Sequence, residues 1–194
     1  MPSFWRILLT IFFAVVLGFL LWQSPPKELS DLLSSPQQTP SHPETYLIGA
    51  RIKQFDEEGR LSYILEADVM RYFDVENESQ PEMTLDQPNI TLFKKGSDKE
   101  PWEIESSTAE GSEKKDELIL IGNVVIEQTL TNGNKTRLET NELTIKPNRR
   151  YAETDKPVII KDRTGTVRST GVKVFFDDER IELLSNTIGD YKPR

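Results

Sequence analysis

The chain has 194 residues, 29% of them charged, with 32 acidic against 24 basic side chains and a formal net charge of -8. That length suits one domain with extensions and a substantial core, while an acidic chain without a basic stripe argues against nucleic acid as a partner. Cysteine is absent, so neither a disulfide framework nor a thiolate metal site can form, and the compartment stays open.

The amino terminus carries the only long apolar run, ILLTIFFAVVLGFLLW at 7–22. With Gln23 it reaches the lower limit for a spanning helix. A cleaved signal peptide and a retained anchor compete for this pattern. The run ends in Trp22, Gln23, Ser24, Pro25 and Pro26, without the small-residue cleavage pattern, which favours a single-pass transmembrane helix at 7–23. Arg6 precedes the run while Lys27 and Glu28 cancel after it. The expected topology is therefore a cytoplasmic segment 1–6 and a remainder outside, across the membrane. Trp5 and Trp22 stand at the two ends, where interfacial indoles are common.

Residues 24–43, SPPKELSDLLSSPQQTPSHP, contain five prolines and read as part of an extended linker over 24–45, with one helical turn at 28–33. From Tyr46 the helical period gives way to alternation. Residues 46–55 and 61–67 form two period-two runs around DEEG, the pattern of a hairpin. Further strands are predicted at 83–93, 102–109, 117–129, 136–146, 158–161, 166–176 and 180–185. The predicted domain, 46–194, is all-β and antiparallel.

Four segments align without gaps: LEADVMRY from Leu65, IESSTAEG from Ile104, LETNELTI from Leu138 and VRSTGVKV from Val167. They share the order apolar, any, small, polar, any, apolar or Ala, any, apolar, and Gly111 is the one failure. A second strand follows in each unit. LDQPNI at 85–90 and TDKPVI at 154–159 introduce two of these, and the related IGNVVI lies at 121–126. Repeated two-strand units stack because none can bury its apolar face alone. The expectation is a rolled antiparallel β-sandwich with two open sheet edges. In LILIGNVVIEQT (118–129), Leu118, Leu120, Val124 and Ile126 take the interior phase, Ile119, Ile121 and Val125 the other, and Gly122-Asn123 marks a bend or bulge.

Little in the chain promises catalysis. His42, the single histidine, lies in the linker, which leaves no histidine triad and no histidine metal cluster. Neighbouring carboxylates such as Glu57 and Glu58, or Asp177 and Asp178, sit on turns and do not face each other across a cleft. No phosphate-cradling glycine motif is present. The reading is a non-enzymatic protein without cofactor or metal. Its remaining signal is an apolar face with Ile48, Ala50, Ile52, Leu65, Leu85, Leu120, Val124, Val174, Ile181 and Leu183 in phase on successive strands. An ordinary dry core accounts for such a face. A lumen for lipid accounts for it too, and each methylene buried there would contribute about 0.8 kcal/mol. The acidic balance then places the affinity in apolar contact, not in attraction to lipid phosphates.

The anchor, the Pro-rich spacer, DEEGRLSYILEADVMRY, the LDQP turn, ELILIGNVVIEQ and TRLETNELTIKPNRRYAETDKPVII together resemble LptC over essentially the whole chain. LptC is the inner-membrane-anchored periplasmic component of lipopolysaccharide export. The resemblance implies the twisted-boat β-jellyroll of the periplasmic Lpt proteins. It implies a transmembrane helix beside LptF and LptG, whose ATPase is LptB, and transfer of lipopolysaccharide to soluble LptA with the acyl chains in the lumen. The family's lumen positions fall near Ala50, Ile52, Leu85, Ile181 and Tyr191, the last on the resemblance alone. The carboxy-terminal edge, Arg180, Ile181, Glu182, Leu183, Leu184 and Ser185, would pair with LptA by strand addition, and the amino-terminal edge with the transporter. A membrane-anchored assembly module, with a filled core and partners only at its edges, is the alternative.

Overall fold

Alternating apolar residues and corner-forming turns carry the chain through an 11-stranded antiparallel sheet. Its strands are β1 (Thr45–Phe55), β2 (Leu61–Tyr72), β3 (Met83–Asp86), β4 (Asn89–Lys94), β5 (Ser97–Glu105) and β6 (Thr108–Ser112). They continue with β7 (Glu117–Thr129), β8 (Lys135–Lys146), β9 (Tyr151–Lys161), β10 (Gly165–Phe175) and β11 (Arg180–Tyr191). A 3-10 turn, Pro147–Arg149, joins β8 to β9. The structure, a computed structural model, describes residues 42–74, 81–94, 97–112 and 116–191, with the backbone alone for 97–99. The chain divides into two units, Met1–Ser41 and His42–Arg194, and the described residues belong to the second. The predicted anchor, the helical turn at 28–33 and most of the linker lie outside the described residues, among which no helix is long and apolar enough to cross a membrane.

The predicted strands at 83–93 and 102–109 are each two strands. The first breaks at Gln87-Pro88, where Gln87 takes a φ of 49° and proline supplies no amide donor. The second breaks at Ser106-Ser107. These corners bond to one another: Gln87 N–H donates to the Ser107 carbonyl (2.9 Å), Ser106 N–H to that of Pro88 (3.2 Å) and Ser107 N–H to that of Gly122 (2.8 Å). Elsewhere the strands run longer than their apolar text. The segment predicted at 158–161 extends back to Tyr151, and that at 180–185 continues to Tyr191.

Register explains the shape. The first half of β2 pairs with β4 (Tyr63–Glu66) and its second half with β3 (Val69–Tyr72). The first half of β7 pairs with β6, and part of its second half, Val125–Gln128, with β5. The sheet is thus one ladder folded along a line into two leaves. The first leaf holds β3, β6 and residues 117–121, 142–146, 151–154, 172–175 and 180–185 of the long strands. The second holds β4, β5 and their other halves. Trp102, in the second leaf, meets Phe176, just past the outer end of the first, with ring centroids 5.5 Å apart. The leaves therefore close face to face, in a jellyroll-like roll. One apolar cluster fills the space between them, drawing Leu85, Leu120, Leu143 and Val174 from the first leaf and Ile90, Ile104, Val124 and Leu138 from the second.

On the outer face, a charge ladder crosses β7, β8 and β9. Lys135 Nζ lies 2.6 Å from Glu127, Arg137 bridges Glu127 (3.2 Å) and Glu139 (2.8 Å), and Lys161 reaches Glu139 at 2.8 Å. Lys135, and then Arg137, hold Glu127 below its ordinary pKa, and Lys161 with Arg137 does the same for Glu139. Both carboxyls are depressed on folding, so the stability they supply is present above the ordinary glutamate range and lost as pH falls through the folded-state values beneath it. Urea midpoints are expected to hold from neutral pH down to about pH 5 and fall below about pH 4. The Glu127→Gln/Glu139→Gln double variant should show a shallower acid limb, and an unchanged limb would count against the ladder.

Candidate functional site

The aligned repeat is the device that folds the sheet. Its first, third, sixth and eighth positions face the interior, and the two residues between the third and sixth carry the chain round the fold line. Leu65, Ala67 and Met70, then Ile104, Ser106, Ala109 and Gly111, then Leu138, Thr140, Leu143 and Ile145, then Ser169, Val172 and Val174 are all buried. Tyr72 and Val167 complete the pattern half-buried. At Gly111, the break in the pattern, a Cβ would lie 2.7 Å from Leu118 Cδ2 and Met83 Cε, the mobile ends of two side chains that would have to shift to admit it.

At three of the four corners the third position carries a hydroxyl within reach of backbone carbonyls, to one of which it donates its single proton. Ser106 Oγ lies 2.9 Å from the Thr108 carbonyl, Thr140 Oγ1 3.5 Å from that of Glu142 and Ser169 Oγ 3.3 Å from that of Gly171, two residues on in each case. Thr140 and Ser169 also reach across to the carbonyls of Pro157 (3.0 Å) and Ser185 (2.8 Å). Buried hydroxyls with partners stabilise the corners, whereas unpartnered ones would oppose folding. The repeat's small third position held the sequence signal for these residues, although function alone did not single them out.

The predicted lumen residues separate into three groups. Leu65, Leu85, Leu120, Val124 and Val174 lie in the core, with Leu85, Leu120 and Val124 at 0% exposure. Ala50, Ile52, Ile181 and Leu183 are partly buried against it, at the two ends of the sheet. Ile48 and Tyr191 are 78% and 71% exposed. Ile48 leaves the phase of Ala50 and Ile52 because Gly49, at a φ of 62°, turns β1 across the fold line between them. In β2 the inward set likewise slips by one, from Leu65 and Ala67 to Met70 and Tyr72.

A cleft of about 310 Å³ lies between β1 and β2 on one side and Ser112, Asp116, Leu118, Pro147 and Asn148 on the other. Ile52, Leu65, Met83, Leu118 and Pro147 supply its apolar surface and Glu82, Asp116 and Glu117 supply carboxylates, with no lysine or arginine among the described residues that line it. Asn148 Nδ2 donates to Asp116 at 2.5 Å, and Lys146 lies 3.6 Å from Glu117. The volume stands at the lower end of that seen for ligand pockets. Among the described residues, no group of histidine and carboxylates is arranged to hold a metal ion.

Among the described residues, β1 pairs only with β2, and β11 only with β10, so the outer edge of each offers a row of unpaired backbone groups. Arg180, Ile181, Glu182, Leu183, Leu184 and Ser185 form the first-leaf half of the β11 edge, and its second half reaches Tyr191. Exposed apolar side chains concentrate on these strands: Tyr46, Leu47, Ile48 and Phe55 on β1, and Leu184, Ile188 and Tyr191 on β11.

The sequence matches, over residues 7–192, the family described as lipopolysaccharide-assembly, LptC-related. The chain belongs to the LptC family. LptC membership gives it a role in lipopolysaccharide transport and places it among transport components. No curated protein matches the sequence at a significant level. Among solved structures, LptH of Pseudomonas aeruginosa, the LptA-homologous periplasmic component of the lipopolysaccharide transport device, aligns with 9% identity and a TM-score of 0.49, covering 68% of this chain and 95% of that one.

Proposed function

We propose that this LptC-family chain is a non-enzymatic lipopolysaccharide carrier, held at the inner membrane by residues 7–23 with residues 1–6 in the cytoplasm. A linker over 24–45 spaces the β-domain, 46–194, into the periplasm. The domain accepts lipopolysaccharide from the LptB, LptF and LptG transporter and passes it to LptA, the acyl chains lying between the two leaves. The observation that carries this reading is a sheet rolled around an apolar interior whose two terminal strands each keep an outer edge unpaired among the described residues. Such a body can receive cargo at one edge and deliver it at the other by strand addition. The transporter meets the β1 edge and LptA the β11 edge. With carboxylates lining the cleft, apolar contact supplies the affinity, at about 0.8 kcal/mol per methylene buried.

A specific observation favours the assembly-module reading as well. Leu85, Leu120 and Val124 are fully buried, so the interior is filled by side chains. A photocrosslinker at Ile52 or Ile181, each partly buried against the core, is expected to capture lipopolysaccharide, while one at Glu182, of the opposite phase on β11, captures little. Equal yields at all three would remove the interior from the reading. Native mass spectrometry of detergent-extracted protein should then find no co-purifying lipid.

A further inference from the structure

Beyond the pairing of strands, the two leaves are held together at their outer ends by a clasp. Lys94, closing β4 in the second leaf, sets its Nζ 2.6 Å from Glu179 Oε1 in the turn after β10. The Arg150 guanidinium, from the turn before β9, donates to the Phe93 carbonyl and to the Asp177 carboxylate. Beneath them Trp102 and Phe176 meet edge to face. The Phe176 amide donates to the Arg150 carbonyl at 3.1 Å, so the two turns of the first leaf grip the β4–β5 hairpin as one piece.

We propose that this clasp is the gate through which a lipid acyl chain gains the interior, an inference that rests on the carrier reading above. The interior is filled and the cleft holds about 310 Å³, so several chains enter only if the leaves part. The fold line is suited to act as the hinge. Gln87, Gly122, Asn123, Gly171 and Asn186 hold positive φ there, and the ladder already shifts register between Ile121 and Val124 and between Thr170 and Val172. Opening the leaves therefore leaves most strand pairing intact and breaks the clasp. The Lys94 and Glu179 side chains are 42% and 40% exposed, so water replaces their ion pair at small cost. Trp102 and Phe176 are buried, and an entering acyl chain would cover the surfaces they expose. Pro147 and Asn148 line the cleft, and Arg150 belongs to the same turn, which couples the cleft to the clasp.

The chain has no cysteine, so Lys94→Cys/Glu179→Cys can be bridged selectively in the full-length protein with a short bis-maleimide carrying a cleavable disulfide. Lipopolysaccharide in mixed detergent micelles is the probe, and bound lipid is counted by native mass spectrometry. The bridged protein is expected to load ~10-fold less lipid, and cleavage of the bridge should restore the unbridged level. Lys94→Ala, which removes the ion pair without a linker, should load faster than wild type; a rate unchanged or slower counts against the gate. Equal loading before and after cleavage overturns the gate and leaves the carrier reading standing. Absence of lipid from every form, wild type included, overturns the carrier reading and the gate with it.

Discussion

Leu120→Asp is expected to leave the β-domain without a cooperative unfolding transition, whereas Ile181→Asp should leave it folded and reduce lipopolysaccharide transfer. Leu120 is fully buried in the middle of β7, paired with Ala109 on one side and Leu143 on the other. Truncating such a leucine costs about 3–5 kcal/mol, and an unpaired carboxyl in its place adds several more through desolvation. The sum rivals the about 5–15 kcal/mol that holds a domain together. Ile181 is half-buried at the start of the last strand, opposite Val174, where an aspartate can turn to solvent. Circular dichroism during thermal melting separates the two variants, and transfer to a soluble acceptor reads the function. A folded Leu120→Asp would mean the interior admits water, as an open lumen does. A melted Ile181→Asp would assign that residue to the core.

Much of this architecture was legible because the repeat encodes it. Leu138, Thr140, Leu143 and Ile145 occupy the same inward positions as Leu65, Ala67, Met70 and Tyr72, and a spacing of two, three and two is what a strand needs to cross a fold line while keeping one face inward. The same rule explains where simple alternation misled. Counting in twos from Ala50 places Ile48 inside, but Gly49 lies on the fold line, and the count changes there. Within β7 no such slip occurs. Gly122 and Asn123 both take positive φ and consume two residues, so Leu118, Leu120, Val124 and Ile126 stay in phase, all buried, with Ile119, Ile121 and Val125 half-covered.

Contacts between the leaves had no such signal. Phe93 and Arg150, or Lys94 and Glu179, are joined only by the closure of the roll, and nothing in their neighbours distinguishes them from other charged residues at strand ends. The cleft was hidden for the same reason, since Ile52, Met83, Leu118 and Pro147 come from four separate elements. Strand ends were also understated. Residues 151–157 and 186–191 lack a sustained apolar alternation, yet Tyr151–Thr154 and Ile188–Tyr191 pair with β10 because that neighbouring strand is already in place. Local text marks where a strand is buried, and the neighbour decides where it stops.

That dependence on a neighbour gives the β11 edge a single weak point, and Gly165→Ala is expected to strip the end of the strand while the rest of the roll stays folded. A Cβ on Gly165 would lie 2.1 Å from the Asp190 carbonyl oxygen and 3.0 Å from Tyr191 Cα. Both are backbone atoms of the facing strand and cannot swing aside, so the pairs Gly165–Tyr191, Thr166–Asp190 and Val167–Gly189 must separate. Losing a few exposed ladder hydrogen bonds costs about 1–2 kcal/mol, which lowers Tm by about 3–7 °C in a domain of this size. Hydrogen exchange should show the loss directly, with amides at 187–191 unprotected and those of β7 and β8 unchanged. Gly171→Ala is the informative contrast. Its Cβ would meet the flexible, exposed Leu184 side chain at 2.8 Å, but its φ of 81° imposes about 1–2 kcal/mol of backbone strain on any other residue. That variant should lose stability and keep its edge. If LptA adds its strand along β11 beyond Ser185, Gly165→Ala weakens that association and Gly171→Ala does not. If both bind alike, delivery uses the first-leaf half of the edge, Arg180 to Ser185.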